Sequence, residues 1–310
     1  MIPLKQYLYE LAQQPGDSYA QVHTRDILQM KQRYVATASQ RWQSMIDAWQ
    51  QADASQGRMW QMHAANYLAS TGGVRWAIDP VRMNWLVRDA ADVDVSPLAA
   101  LQFVLLTHDH VDHADRILWE RLKDAPIMWV VPSFLRQKFV EKSGIEAHRI
   151  IEPVPDQVLQ LHGLEILPFE GQHFQYVPAE NDKPAVTLGV PAMGYRVRWQ
   201  DRTWLFLGDT RTYDPTAFLP MRGADVVFGH VWLGRESAHI EPPPLLEVFA
   251  SFLTVLQPAR RVVLAHLYEI SRTPQDCWSE DHVQRVRAIL NDRLPGVEVV
   301  WALSGEEIPL

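Results

Sequence analysis

Apolar residues recur at three- and four-residue steps along the N-terminal part of the chain: Ile27, Met30, Tyr34, Val35, Ala38, Trp42, Met45, Ile46 and Trp49. That spacing places them on one broad face of a helix predicted over residues 21–54. A shorter helix is predicted over 4–14, joined to it by Pro15-Gly16-Asp17-Ser18, where Asp17 or Ser18 can cap the second helix. The apolar face is expected to pack on the rest of the chain; the alternatives are self-association into a homo-oligomer or a lid. A polar linker, Gln50–Gly57, follows. From Met59 onward the texture changes to short apolar runs broken by Gly and Pro. Strands are predicted at Met62–Ala69 and Val74–Ile78, a hairpin across Ser70-Thr71-Gly72-Gly73. More are predicted at Phe103–Leu106, Ile127–Val131, Leu159–Phe169, Tyr195–Leu207 (turning at Gln200-Asp201-Arg202), Asp225–Gly229 and Val262–Ala265, with a final strand at Val297–Trp301. Helices are predicted at Ala114–Lys123, Ser133–Lys142, Leu245–Leu256 and Glu280–Leu294. There is no short-period repeat.

Composition narrows the classes. With 47% hydrophobic residues the 310-residue chain can build a sizeable core, as one large domain or one domain plus an extension. No apolar run approaches the roughly twenty residues that span a bilayer, and Met1-Ile2-Pro3-Leu4-Lys5-Gln6 lacks an apolar signal-peptide core. One cysteine, Cys277, excludes an internal disulfide and suits a reducing, cytoplasmic setting. A net charge of −8 without any Lys/Arg-rich run argues against nucleic acid, whose binding rests on phosphate neutralisation.

The chemistry concentrates in Thr107-His108-Asp109-His110-Val111-Asp112-His113, directly after the apolar run Phe103–Leu106. Three imidazoles and a usable carboxylate thus fall on a strand-end loop, where alternate residues can aim His108 and His110 at one point. Asp112 and His113, one turn on, can face a second point nearby. Neutral imidazole and carboxylate suit zinc, iron or manganese, and three ligands leave the open position that catalytic sites keep.

This string resembles the signature of the metallo-β-lactamase-fold hydrolases, and further landmarks follow in that family's order. His173 sits in Glu170-Gly171-Gln172-His173, Asp209 in Leu207-Gly208-Asp209-Thr210, and His266 ends Val262-Val263-Leu264-Ala265; upstream, Trp76-Ala77-Ile78-Asp79-Pro80 is similar to the family's early strand-end aspartate. The resemblance spans roughly residues 58–303. It implies an α/β fold, an αββα sandwich of two mixed sheets with outer helices, here with an N-terminal helical extension (residues 1–57) ahead of the hydrolase domain (58–310). It further implies two divalent metal ions, Zn or Mn ahead of Fe. His108, His110 and His173 would bind the first; Asp112, His113 and His266 would bind the second; Asp209 would bridge them. A metal-bound hydroxide would attack a lactone, ester or phosphodiester of a small, anionic molecule, with Asp112 or His230 assisting proton transfer. The segment Met62–Leu68, with His63, is similar to a strand in the subgroup of ascorbate-6-phosphate lactonases and N-acyl-phosphatidylethanolamine phospholipase D.

Other residues carry two readings each. Asp79 can orient a ligand histidine or cap turn amides. His63 can line the site. Arg211, Arg235 and Arg272 can bind a substrate anion or form surface ion pairs. His239 reads as loop surface. Residues 174–194, Pro-rich and aperiodic, are expected to wall the pocket, with Phe174, Tyr176, Val177 and Trp232 making it partly apolar. Two rival functions remain: iron-dependent oxygen or redox chemistry at a mononuclear site of the same fold, and a non-catalytic binding protein that retains the fold.

Overall fold

The long amphipathic stretch folds as a helix because its apolar stripe has a sheet to cover. A computed structural model describes residues 19–83, 93–177, 184–230, 244–267, 269, 280–308 and 310. In it α1 spans Tyr19–Gln50. Met30, Tyr34, Ala38, Trp42, Met45, Ile46 and Trp49 are all buried, at the predicted three- and four-residue steps. The Trp49 indole donates to the carbonyl of Ala69, and that of Trp42 to the carbonyl of Asp94, each at 2.8 Å. Burying each such side chain contributes about 1.5–3 kcal/mol, so the stripe anchors α1 to the chain's own core. The predicted helix over 4–14 lies outside the described residues.

Strands β1 (Gly57–His63), β2 (Asn66–Thr71), β3 (Val74–Ile78), β4 (Phe103–Leu105), β5 (Met128–Val130) and β6 (Ile150–Ile151) form the first sheet, with α2 (Arg116–Arg121) after β4 and α3 (Ser133–Ser143) after β5. The second sheet takes β7 (Leu159–Leu161), β8 (Leu164–Glu170), β11 (Met193–Trp199), β12 (Arg202–Phe206), β13 (Val226–His230), β14 (Arg261–Ala265) and β15 (Glu298–Val300) in the order β15-β14-β13-β12-β11-β8-β7. A separate ribbon pairs β9 (Gln175–Val177) with β10 (Val186–Leu188). Helices α4 (Pro244–Leu256) and α5 (Glu280–Arg293) precede β14 and β15, and β16 (Glu307–Ile308) returns to pair with β1.

The layers follow from which faces are apolar. Between the sheets, Tyr67, Trp76, Phe103 and Leu105 meet Ile166, Tyr195, Phe206 and Phe228. The first sheet's outer face, with Trp60, Leu68 and Val104, packs under α1, α2 and α3. The second sheet's outer face, with Leu205, Val227 and Val262, packs under α4 and α5 through Phe249, Leu253 and Leu290. The result is the αββα sandwich with an N-terminal helix.

Several boundaries differ from the sequence reading. Met62–Ala69 is not one strand: β1 ends at His63 and the chain reverses at Ala64-Ala65, with a register shift at Gln61/His63 and the Gln61 amide donating to the Ala64 carbonyl at 2.7 Å. Nothing in the hydropathy marks this turn, because all these residues are buried. Leu159–Phe169 breaks at His162-Gly163, where φ is 50° and 82°, matching a two-residue hairpin turn. Val297–Trp301 is not the last strand, since β16 follows. Residues 174–194 are not wholly irregular, because they contain β9 and β10.

Strand direction sets the site. β2 runs antiparallel to both β1 and β3, and β4 runs parallel to β3. β11 runs antiparallel to β8 and β12, while β13 and β14 run parallel to β12. So β1, β3 and β4 share one direction, as do β8, β12, β13 and β14. Each of these strands ends in a candidate residue: His63, Asp79, the 107–113 loop, His173, Asp209, His230 and His266.

Candidate metal centre

Each candidate is delivered by a strand that stops where its side chain is needed. After β4 the backbone turns, with the amides of His113 and Ala114 donating to the His110 carbonyl at 2.9 and 2.8 Å. Asp115 caps α2, accepting from the Leu118 amide at 3.1 Å and from the backbone and side chain of Arg82 at 3.0 and 2.9 Å. The loop is pinned across the sandwich: the Met193 amide donates to the Thr107 carbonyl at 3.0 Å, and His108 bridges Ala192. Asp79 and His266 leave their strands with φ of 43° and 65°. Such conformations cost about 1–3 kcal/mol each and gather at functional sites. The turn at His266 lets its amide donate to the Ala64 carbonyl at 3.1 Å.

The rings converge. His108 lies 4.8 Å from His110, 4.7 Å from His173 and 4.1 Å from His113 between centroids, and His110 lies 4.6 Å from His173. Asp209 stands between two groups. Its Oδ2 is 3.9 Å from His108 Nε2, while its Oδ1 is 3.4 Å from His113 Nε2 and 2.8 Å from His266 Nε2. Donor atoms of His108, His110, His173 and Asp209 all lie within 4.8 Å of one another, as do those of His113, Asp209 and His266. Asp112 does not cluster with His113 and Asp209 but comes together with His266 and Glu269.

Behind the donors sits a hydrogen-bonded layer. Asp79 accepts from the Thr107 amide (2.8 Å), the Thr107 hydroxyl and His113 Nδ1 (2.8 Å), so it both caps backbone and orients a ring. His108 Nδ1 donates to Thr107 Oγ1 at 2.9 Å, leaving Nε2 facing Asp209. His266 Nδ1 meets the buried carboxylate of Glu269. In the sequence only the His266-x-x-Glu269 spacing points to Glu269. Asn66 donates to the carbonyls of Asp79 and Asp112 at 2.8 and 2.9 Å.

Electrostatics sort the histidines. Burial, with His113 alongside, holds His108 well below the ordinary histidine range, and burial lowers His110 as well. His173 and His63 are each lowered to about 4 by burial. Burial opposes protonation of His113 and His266 too, but the Asp209 carboxylate outweighs it, helped by Asp79 at His113 and by Glu269 at His266, and both are raised. Burial would raise Asp209, yet His266, His113 and His230 hold it well below the usual carboxylate range. An ionised carboxylate among imidazole nitrogens is the donor set a divalent cation needs. His108 Nε2 is buried with no hydrogen-bond partner, aimed at Asp209. The residues therefore fit divalent metal binding.

Of the remaining candidates, His63 is buried and under the influence of Glu269 and Asp112, with its Nε2 lacking a hydrogen-bond partner. His230 is buried and stands edge-on to His266, 3.8 Å between centroids. With Asp79 and His113 it lines a small cavity of about 10 Å³, shared with the apolar side chains of Tyr67, Ile78, Phe206 and Phe228. Arg211 donates its amide to the Gln172 carbonyl at 2.8 Å and bears electrostatically on His110 and His173. Phe174 is half exposed beside His173. Gly189, at φ 102°, lets the backbone pass so near His173 that a Cβ there would sit 2.1 Å from its carbonyl oxygen. Trp232, Arg235, His239, Arg272 and Cys277 lie outside the described residues, and among the described residues no helix is long and apolar enough to cross a membrane.

Residues 75–267 match the family model of the beta-lactamase superfamily domain. No curated protein matches the chain. Among solved structures it is similar to Igni18, a metallo hydrolase from the archaeon Ignicoccus hospitalis, with 18% identity over 81% of this chain and 97% of that one and a TM-score of 0.57. It is similar to the isothiocyanate hydrolase from Delia radicum gut bacteria, with 18% identity, coverages of 82% and 99%, and a TM-score of 0.56. A third structure, the diiron β-hydroxylase CmlA from Streptomyces venezuelae, has 15% identity, coverages of 79% and 53%, and a TM-score of 0.54. At such identities the likeness is one of fold. The family match, however, spans more than half of the chain and encloses every candidate ligand from Asp79 to His266, so the chain belongs to the metallo-β-lactamase-fold branch of the beta-lactamase superfamily.

Proposed function

We propose that the chain is a dinuclear metal-dependent hydrolase acting on a lactone, ester or phosphodiester of a small anionic molecule. The observation that carries the reading is the position of Asp209, whose two oxygens face two separate groups of histidines. His108, His110 and His173 would hold the first ion, and His113 and His266 the second with Asp112 alongside; Asp209 would join them. When bound, such ions supply a water of lowered pKa and Lewis-acid stabilisation of a developing oxyanion. The chain does the rest. Asp79 and Thr107 keep His113 and His108 in one tautomer each, while Arg211 adds positive charge beside His110 and His173 for an anionic substrate. Asp112, partly exposed, or His230 would move a proton to or from a leaving oxygen.

Within this reading residues 58–310 are the hydrolase domain and 1–57 an extension; the burial of Trp42 and Trp49 supports a packed extension over a mobile lid. The preference for the ascorbate-6-phosphate lactonase and N-acyl-phosphatidylethanolamine phospholipase D subgroup, for Zn or Mn, and for the cytoplasm belongs to the same proposal, supported by Asp112, His63 and the single cysteine. The complete donor set weighs against a non-catalytic binder.

Elemental analysis of protein purified without added metal, with hydrolysis of a lactone and of a bis-aryl phosphodiester, tests this. Close to two ions of Zn or Mn per chain and turnover of one substrate class are expected. Fewer than one ion per chain, with no rescue by Mn or Zn, overturns it. One iron per chain without hydrolysis moves the assignment to the redox alternative.

A further inference from the structure

The histidines of the two groups are backed differently. In the first, His108 Nδ1 leans on the neutral hydroxyl of Thr107. In the second, both rings lean on buried carboxylates: His113 Nδ1 on Asp79 at 2.8 Å, and His266 Nδ1 on Glu269. Glu269 is 2% exposed and lies just past His266, which leaves its strand with φ of 65°. Burying an ionised carboxylate is costly unless a partner compensates it. Its position against the far nitrogen of a ring whose near nitrogen faces Asp209 at 2.8 Å supplies that partner.

We propose that Glu269 is a positioning residue for metal binding. It accepts the Nδ1–H of His266, turns the Nε2 lone pair toward Asp209, and stands behind the second ion as a counter-charge. This rests on the two-metal reading above. The second ion then has Asp112 and Asp209 nearby with Asp79 and Glu269 behind, so it meets more negative charge than the first and is the more tightly held of the two. Carboxylates behind a metal-bound imidazole fix its orientation and strengthen it as a donor. Direct coordination by Glu269 is the competing arrangement, since its oxygen also lies within 4.8 Å of a donor atom of Asp112.

The test is Glu269→Gln in the full chain, which keeps size and removes charge. Zinc affinity is read by competition with a chromophoric chelator beside the wild type, with the unfolding curve of each metal-free protein recorded. Two zinc ions are expected in the wild type, and the variant should hold one of them about 10–100-fold more weakly while retaining the other. A second measurement needs no substitution: ¹⁵N shifts of the His266 ring in zinc-loaded wild type should show Nδ1 protonated and Nε2 metal-bound. Unchanged binding of both ions by Glu269→Gln, or metal on His266 Nδ1, overturns the role of Glu269. A wild type holding fewer than one ion instead overturns the two-metal reading itself.

Discussion

Asp79 and His113 are joined at 2.8 Å between Oδ2 and Nδ1, and the same oxygen accepts the hydroxyl of Thr107, which holds His108. One buried carboxylate thus orients a histidine in each of the two donor groups. It can do so because β3 and β4 are parallel neighbours, and because Asp79 turns at φ 43° to bring its side chain over the start of the 107–113 loop.

Replacing Asp79 by Ala should therefore weaken binding at both positions, by about 10–100-fold each. Chelator competition measures it. Loss confined to one ion would show that the Thr107 arm does not orient His108.

Asp209→Ala should bind at least one ion fewer per chain and lose nearly all turnover, because the carboxylate faces both groups. Elemental analysis of the dialysed variant and an initial-rate assay are the checks. Activity near wild type would mean that Asp209 is not the shared ligand.

Tyr195 donates its buried hydroxyl to the carbonyl of Leu106 at 2.6 Å, one residue before the 107–113 loop. Tyr195→Phe leaves that carbonyl without this donor and should lower stability by about 1–3 kcal/mol in urea unfolding. A change within error would show that another donor replaces it.

Trp42, in the stripe of α1, is buried and donates to Asp94. Trp42→Ala should cost about 3–5 kcal/mol in the same assay. A loss below about 1 kcal/mol, the size of an ordinary surface change, would argue that α1 is not part of the core.

Stripping metal should lower the melting temperature, since ions bound only by the native state stabilise it by about 2.7 kcal/mol at one hundred times the dissociation constant. Differential scanning calorimetry with and without chelator reads the shift. Identical curves would mean that no ion is bound under those conditions.

Much of this was legible beforehand for a simple reason. His108, His173, Asp209, His230 and His266 each follow an apolar run, and an apolar run with a polar end marks a strand leading to a loop. Such positions need only the local pattern to be found. His63 shows the limit. The turn at Ala64-Ala65 has neither Gly nor Pro nor a polar residue to announce it, so β1 and β2 read as one strand. β16 is two residues long and pairs with β1, more than two hundred positions away. No local signal encodes that partner.

The sequence by itself determined most of the helices and strands and the residues able to bind metal, because hydrophobic period and donor chemistry are local properties of the chain; their arrangement as an αββα sandwich was implied only by the family resemblance. Only the tertiary structure decided how those donors are shared and backed. Asp209 facing two groups, Asp112 turning toward Glu269, and Asp79 and Glu269 standing behind separate histidines all depend on seven strands ending at one rim. The contacts of Asp209, Asp112 and Asp79 join residues tens to hundreds of positions apart, and no local pattern encodes them.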